Sequence, residues 1–207
     1  MPKIYLEKNS NFTIRGRESE DKQFVFCPNK NVPFIVSEAG ITGPTPKYFI
    51  SRTHCPHGVL MHIEQGSGTL EYNDSLYKLH AHDTVLLLPG SNNCYYPDPE
   101  NPFKLVWLNF FCSWMEDWVK GLGLYDRPVV GGVDCCDKIY NIVQLVKTTP
   151  NNDLISFPIL HIFADILLTL SETVHLENHT KTASQLAKKI KDCLDTAIYD
   201  KIDIDAI

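Results

Sequence analysis

The chain has 207 residues, 43% hydrophobic and 21% charged, enough for one or two buried cores. Its 19 Lys+Arg against 25 Asp+Glu leave a formal charge of −6, which excludes a strong nucleic-acid binder built from these residues alone. The N-terminus lacks an apolar signal core and no run of about 18 apolar residues follows, so a cytoplasmic chain without a membrane span is expected.

Residues 1–32 are polar and irregular except for FVFCP, and read as an N-terminal arm laid over part of the fold. Strands are expected from Pro33–Ala39 and Lys47–Arg52, separated by a turn rich in Gly, Pro and Thr. The stretch 59–65 (VLMHIEQ) forms the next strand, and Gly66-Ser67-Gly68 makes a tight reversal. TLEY and LYKL flank the turn residues Asn73-Asp74-Ser75, and Asp83–Leu88 is an apolar strand ending in Pro89-Gly90. Phe103–Phe111 alternates: Val106, Leu108 and Phe110 on one face, Leu105, Trp107 and Asn109 on the other. Short strands at even spacing indicate a barrel or sandwich over 33–113.

The pattern changes after Ser113. SWMEDWVKGLGL reads as a short helix stopped by glycine, and Asp134 can cap a helix over 135–148 with Ile139, Ile142, Val143 and Val146 on one face. A third helix, ILHIFADILLTLSETVHL, capped by Asp153 or Ser156, is apolar nearly all round and needs burial on more than one side. The barrel would cover one side and a second subunit the other. HLENHTKTA (175–183) reads as a polar linker, followed by a helix bearing Leu186, Ile190, Leu194, Ala197 and Ile198. The seven cysteines are scattered without a C-x-x-C pair, which suits reduced thiols; adjacent Cys135-Cys136 cannot readily bridge each other.

Taken together, the G-x-G turn, the strand pair, the apolar strand ending in Pro-Gly, Tyr95, the Pro-rich loop and the strand with Trp107 resemble the cupin-like sensor domain of AraC-type transcription regulators. The resemblance implies a mainly β fold with added helices: a jelly-roll barrel at 33–113, a helical dimerisation segment at 114–178, then a linker and the first helix of a DNA-binding domain cut short at 179–207. It implies a homodimer that binds a small effector, sugar-like by preference, and acts on DNA through helix-turn-helix units beyond these residues. Two positions depart from the family pattern: His82 precedes Asp83 where glycine is usual, and Asn93-Cys94 stands where a histidine often follows the Pro-Gly turn.

Five residues are candidate ligand contacts. Arg52 falls where the family often has an arginine, and a guanidinium bonds hydroxyls or carboxylates in a planar fork. Trp107 suits the C–H face of a sugar, and Leu105 and Asn109 share its face; a buried Asn109 needs a polar partner. Of Tyr95 and Tyr96 only one can point inward, and the family pattern favours Tyr95. The competing reading is a metal-dependent cupin enzyme, an isomerase or dioxygenase. Against it, His62-Ile63-Glu64 lacks a second histidine, His80-Ala81-His82 lies at a turn, and Asn93-Cys94 replaces the later ligand. The histidines at 54, 57, 62, 80 and 82 are therefore expected in loops or facing solvent, and no catalytic, metal or cofactor site is expected.

Overall fold

A computed structural model describes residues 34–148 and 156–200, together with the short strands at 8–9, 12–15 and 22–25; the side chains at 190 and 193–200 and in those three strands fall outside the description. Twelve strands are described: β1 (Lys8–Asn9), β2 (Phe12–Arg15), β3 (Lys22–Val25), β4 (Phe34–Thr42), β5 (Phe49–Arg52), β6 (Gly58–Gln65), β7 (Ser67–Tyr72), β8 (Ser75–His80), β9 (Thr84–Leu87), β10 (Asn93–Pro97), β11 (Lys104–Cys112) and β12 (Val129–Val130). Three helices accompany them: α1 (Met115–Gly121), α2 (Cys136–Thr148) and α3 (Ser156–Asp200).

The strands form two six-stranded sheets in the orders β1-β2-β5-β10-β7-β8 and β12-β9-β6-β11-β4-β3. All described strand pairs are antiparallel. The fold is thus mainly β, a cupin-like double sheet with helices against one face. The chain crosses between sheets at Gly66, whose φ of +78° brings it against the backbone of Pro102 and Phe103. So the expected reversal is a corner between sheets and not a hairpin. The hairpin lies one strand later, where Asn73 (φ 44°) and Asp74 (φ 66°) supply the two positive φ values of a tight β7–β8 turn.

Alternation along β6 divides two cores. Val59, Met61 and Ile63 face the barrel interior with Tyr95, Leu105 and Trp107, whereas Leu60 faces the helices with Val106, Leu108 and Phe110. In the helical layer Phe163 of α3 packs on Phe34 (4.6 Å between centroids) and Phe110 (4.8 Å). The segment at 1–32 is less irregular than its composition suggests. Its β2 pairs with β5 and its β3 with β4, extending both sheets.

Asp134 does stand before α2, accepting the Cys136 backbone N–H at 3.0 Å. The stretch 175–183, read as a linker, lies inside one continuous helix: α3 has neither Gly nor Pro after Pro158, so nothing local breaks it. Its apolar contacts end near Val174, and the residues described beyond stand mostly in solvent. Ser156–Lys189 is long and apolar enough to cross a membrane by composition, but Ile159, Phe163, Ile166, Leu167 and Leu170 bury that apolar side against the barrel.

Candidate functional site: the Arg52 end of the barrel

Strand register sorts the barrel interior into layers. In one sheet Arg52 lies opposite Asn93, which lies opposite Tyr72; one step along come Ile50, Tyr95 and Leu70. In the other, Glu38, Asn109, Val59 and Leu87 form a row, then Gly40, Trp107, Met61 and Val85, then Thr42, Leu105 and Ile63. The connections β5–β6 and β9–β10 place the rows of Arg52 and Asn109 at the same end. Tyr95 and Trp107 occupy the middle, and Leu105 lies toward the far end. The sequence-predicted residues therefore share one interior but not one layer.

Arg52 is 5% exposed, and its Nη1 donates to Asn93 Oδ1 (3.2 Å) and to Tyr95 Oη (3.3 Å). Asn93 also donates through Nδ2 to Ser91 Oγ at 3.4 Å. Here is the position where the family often has histidine. The amide occupies the inward face of β10 and accepts from the guanidinium, as the Asn93-Cys94 departure did not disclose.

His57, expected as a loop histidine, does lie between β5 and β6, but half-buried and with its Nε2 lacking a hydrogen-bond partner. Burial, with the Arg52 charge adding to it, pushes its pKa down to about 4, so the ring is neutral near pH 7. Asn109 is buried too. Its Nδ2 donates to Glu38 Oε2 at 3.1 Å, while its Oδ1 is unpartnered. Trp107 is only 7% exposed, and its indole N–H is used within the fold, donating to Thr42 Oγ1 at 3.1 Å. Leu105 is fully buried core.

Trp107, around which a pocket is expected, does not line the described cleft. A cleft of about 870 Å³ opens outside the Arg52 end, bounded by the β7–β8 turn, the Pro89-Gly90 turn and the segment leading into α1. That size is in the range of small-molecule sites. Tyr72 and Ser91 link it to the Arg52–Asn93 row, and Pro56 and Phe111 flank His57, whose ring meets Phe111 edge-on at 5.9 Å. Tyr72, Ser91, Asn93 and His57 were missed as site residues. For Tyr72 and Asn93 the signal was strand pairing with Arg52, which no local pattern encodes.

A metal at the barrel centre does not fit the described residues. The inward positions of β6 are Val59, Met61 and Ile63, which offer no imidazole or carboxylate, and the nearby His57 sits beside a fixed cation. His62, expected in solvent, is instead buried on the outer face of β6, because strand alternation turns it toward the helices.

Two antiparallel sheets enclosing a core, with polar groups gathered at one end, define a cupin-like binding barrel. Residues 35–155 match the model of the AraC-like ligand binding domain, and the chain belongs to that family. Similar solved structures include YhaK from Escherichia coli (15% identity, TM-score 0.39), with 44% of each chain covered. A Cupin 2 conserved barrel domain protein from Salinispora arenicola is 19% identical (TM-score 0.37), covering 57% of this chain and 88% of that one. The Cnp3 cupin domain of Schizosaccharomyces pombe is 12% identical (TM-score 0.35), covering 57% and 76%. No curated protein matches the chain.

Proposed function

We propose that this chain is the effector-sensing and dimerising part of an AraC-type transcription regulator, and that its effector is a small polyhydroxylated, sugar-like molecule. The effector enters from the cleft and is held at the Arg52 end. The observation carrying this reading is the pair of buried polar atoms without a partner among the described residues, His57 Nε2 and Asn109 Oδ1, at the end of the barrel that also holds Arg52 and Asn93 and that the Tyr95 hydroxyl reaches from the middle layer. A buried polar atom left unpaired costs about 1–3 kcal/mol, a cost that a ligand hydroxyl removes.

Charge supports a polyol over an anion. Arg52 brings a positive charge and Glu38, hydrogen-bonded to Asn109, brings a negative one, so this end holds donors and acceptors of both signs. Neutral hydroxyls can donate to His57 and Glu38 and accept from Arg52. Trp107 and Leu105 form the apolar floor behind that layer, supporting Tyr95 and not meeting solvent. Effector binding then shifts the balance between arrangements of the regulator by no more than its differential affinity for them, the general limit on such a switch.

Dimerisation is assigned to α3, where Phe157, Leu168, Leu176 and Leu186 remain exposed on a helix otherwise committed to the core. The test is thermal denaturation with neutral sugars and polyols, in parallel with sugar acids. A ligand at about 100 times its Kd should stabilise by about 2.7 kcal/mol. Stabilisation by neutral sugars, lost in Arg52→Ala, is expected. No shift with any neutral sugar, or a shift with acids alone, would overturn the sugar reading.

A further inference from the structure

On the opposite face of β6, away from the barrel interior, three side chains with metal-ligating atoms meet where β6 passes under the start of α2. A ring nitrogen of His62, a carboxylate oxygen of Asp134 and the Sγ of Cys136 all lie within 4.8 Å of one another, with His62 Nε2 3.7 Å from Asp134 Oδ1. His62 is 1% exposed, Cys136 is half-buried, and the Asp134 side chain is 73% exposed. We infer that these three residues form a binding site for a divalent cation of the zinc class, pinning the first turn of α2 to sheet strand β6.

The orientation of His62 makes the case. Thr84 Oγ1 donates its only proton to the Val133 carbonyl at 3.2 Å. In the tautomer with the proton on Nδ1, the imidazole donates to Thr84 Oγ1 at 2.9 Å. With the proton on Nδ1, Nε2 presents a lone pair toward Asp134. The two are 3.7 Å apart, beyond hydrogen-bond length, and in that tautomer both are acceptors. A ring-nitrogen lone pair facing a carboxylate across that gap is a pair of ligand donors that a cation between them can join. An imidazole fixed by an N–H bond to an oxygen through its other nitrogen is also how metal-binding histidines are held.

The neighbouring carboxylate is already committed. Glu64 accepts from Lys104 Nζ (2.7 Å) at one oxygen and from Tyr140 Oη (2.8 Å) at the other. Among the described residues, Asp134 by contrast accepts one backbone bond, from the Cys136 N–H at Oδ1. One nitrogen, one sulfur and one oxygen suit Zn²⁺ or Co²⁺ better than the oxygen-seeking Mg²⁺ or Ca²⁺. Zinc bond lengths in a tetrahedron set ligand atoms about 3.3–3.8 Å apart, so the trio must close by about 1 Å. The exposed Asp134 side chain has the freedom to do so, and water completes the fourth position. Cys136 binds as the thiolate, its proton passing to solvent.

The test treats the whole chain with chelator, removes the chelator, and titrates Zn²⁺ or, as a spectroscopic probe, Co²⁺. One equivalent should bind, raise the melting temperature, and give with Co²⁺ the intense thiolate charge-transfer band. Cys136→Ser should abolish that band, and Asp134→Asn, which keeps the helix cap, should weaken Zn²⁺ binding about tenfold or more. Cys135→Ser should leave both unchanged. Absence of the band in the wild-type chain, or its survival in Cys136→Ser, would overturn the inference. So would Zn²⁺ affinity unaltered in Asp134→Asn, a variant that keeps the fold readable should the serine variant fail to fold. Sugar binding at the Arg52 end is a separate readout on which this result does not depend.

Discussion

The two ends of the barrel are built from the same alternating strands yet differ in chemistry. At the far end Leu105, Ile63, Leu79 and Phe103 close a dry core, and the polar groups there are absorbed locally, as Thr42 is by the Trp107 N–H. At the Arg52 end, Arg52, Asn93, Asn109 and His57 gather in one layer with two polar atoms unanswered. One end is closed by apolar packing, and the other is the end proposed above to receive the effector. The difference implies that stability and recognition can be damaged separately.

The largest expected effect is at the closed end. Phe103 is 1% exposed and meets Tyr48 edge-on at 6.1 Å, and Gly68 has room for nothing but its ring. Phe103→Ala should cost about 3–5 kcal/mol of stability in urea denaturation. Effector affinity of the molecules that remain folded should change little. If affinity falls as steeply as stability, the two ends are one unit and the contrast fails.

At the polar end the ranking reverses. Arg52→Ala removes charge-assisted hydrogen bonds worth about 1.5–3 kcal/mol each, so sugar affinity should drop about 10- to 150-fold by calorimetry. Arg52→Lys should not rescue it, since an ammonium cannot reproduce the planar fork. Full binding by the lysine variant would remove the geometric role assigned to Arg52.

How much of this was legible in the sequence follows the same division. The faces of β11 could be read directly, because period-two alternation alone puts Leu105 and Trp107 inward. Trp107's partner could not, since Thr42 lies 65 residues away and meets it only through the β4–β11 register. Asn93 and Tyr72 were hidden for the same reason: their proximity to Arg52 is a property of pairing, not of local spacing. His62 was readable and misread. It sits between Met61 and Ile63 in a strand, so if those face the barrel it must face the helices. The polar residues of 175–183 spelled a loop only by composition; helix propensity and the lack of a breaker prevailed.

Acid should act on the polar end first. His57 has a folded pKa of about 4, below the ordinary value of 6.5, so the unfolded chain binds the extra proton more readily between those values. Stability from this group is complete above about pH 6.5 and is lost as pH falls toward 4. Burial pushes His62 in the same direction, so both rings contribute to this limb. Melting temperatures measured from pH 7 down to pH 4 should decline, and His57→Gln should flatten the decline without abolishing it. An unchanged slope in that variant would show that His57 is not buried against Arg52 as described.

The smallest effect concerns the position where the chain departs from the family's usual glycine. His82 is held at φ 69°, a conformation that costs a residue with a Cβ about 1–2 kcal/mol. The turn survives because its neighbours overdetermine it. Asp83 Oδ2 accepts the His80 N–H at 2.7 Å, and the His82 N–H reaches the Ile63 carbonyl at 2.8 Å. His82→Gly should therefore stabilise the chain by about 1 kcal/mol, reduced by the greater freedom glycine gives the unfolded state. Equilibrium unfolding of the glycine variant measures this directly. Destabilisation would mean that the imidazole, whose ring lies 6.3 Å from that of His62, supports the buried cluster beneath α2 by more than its backbone strain removes.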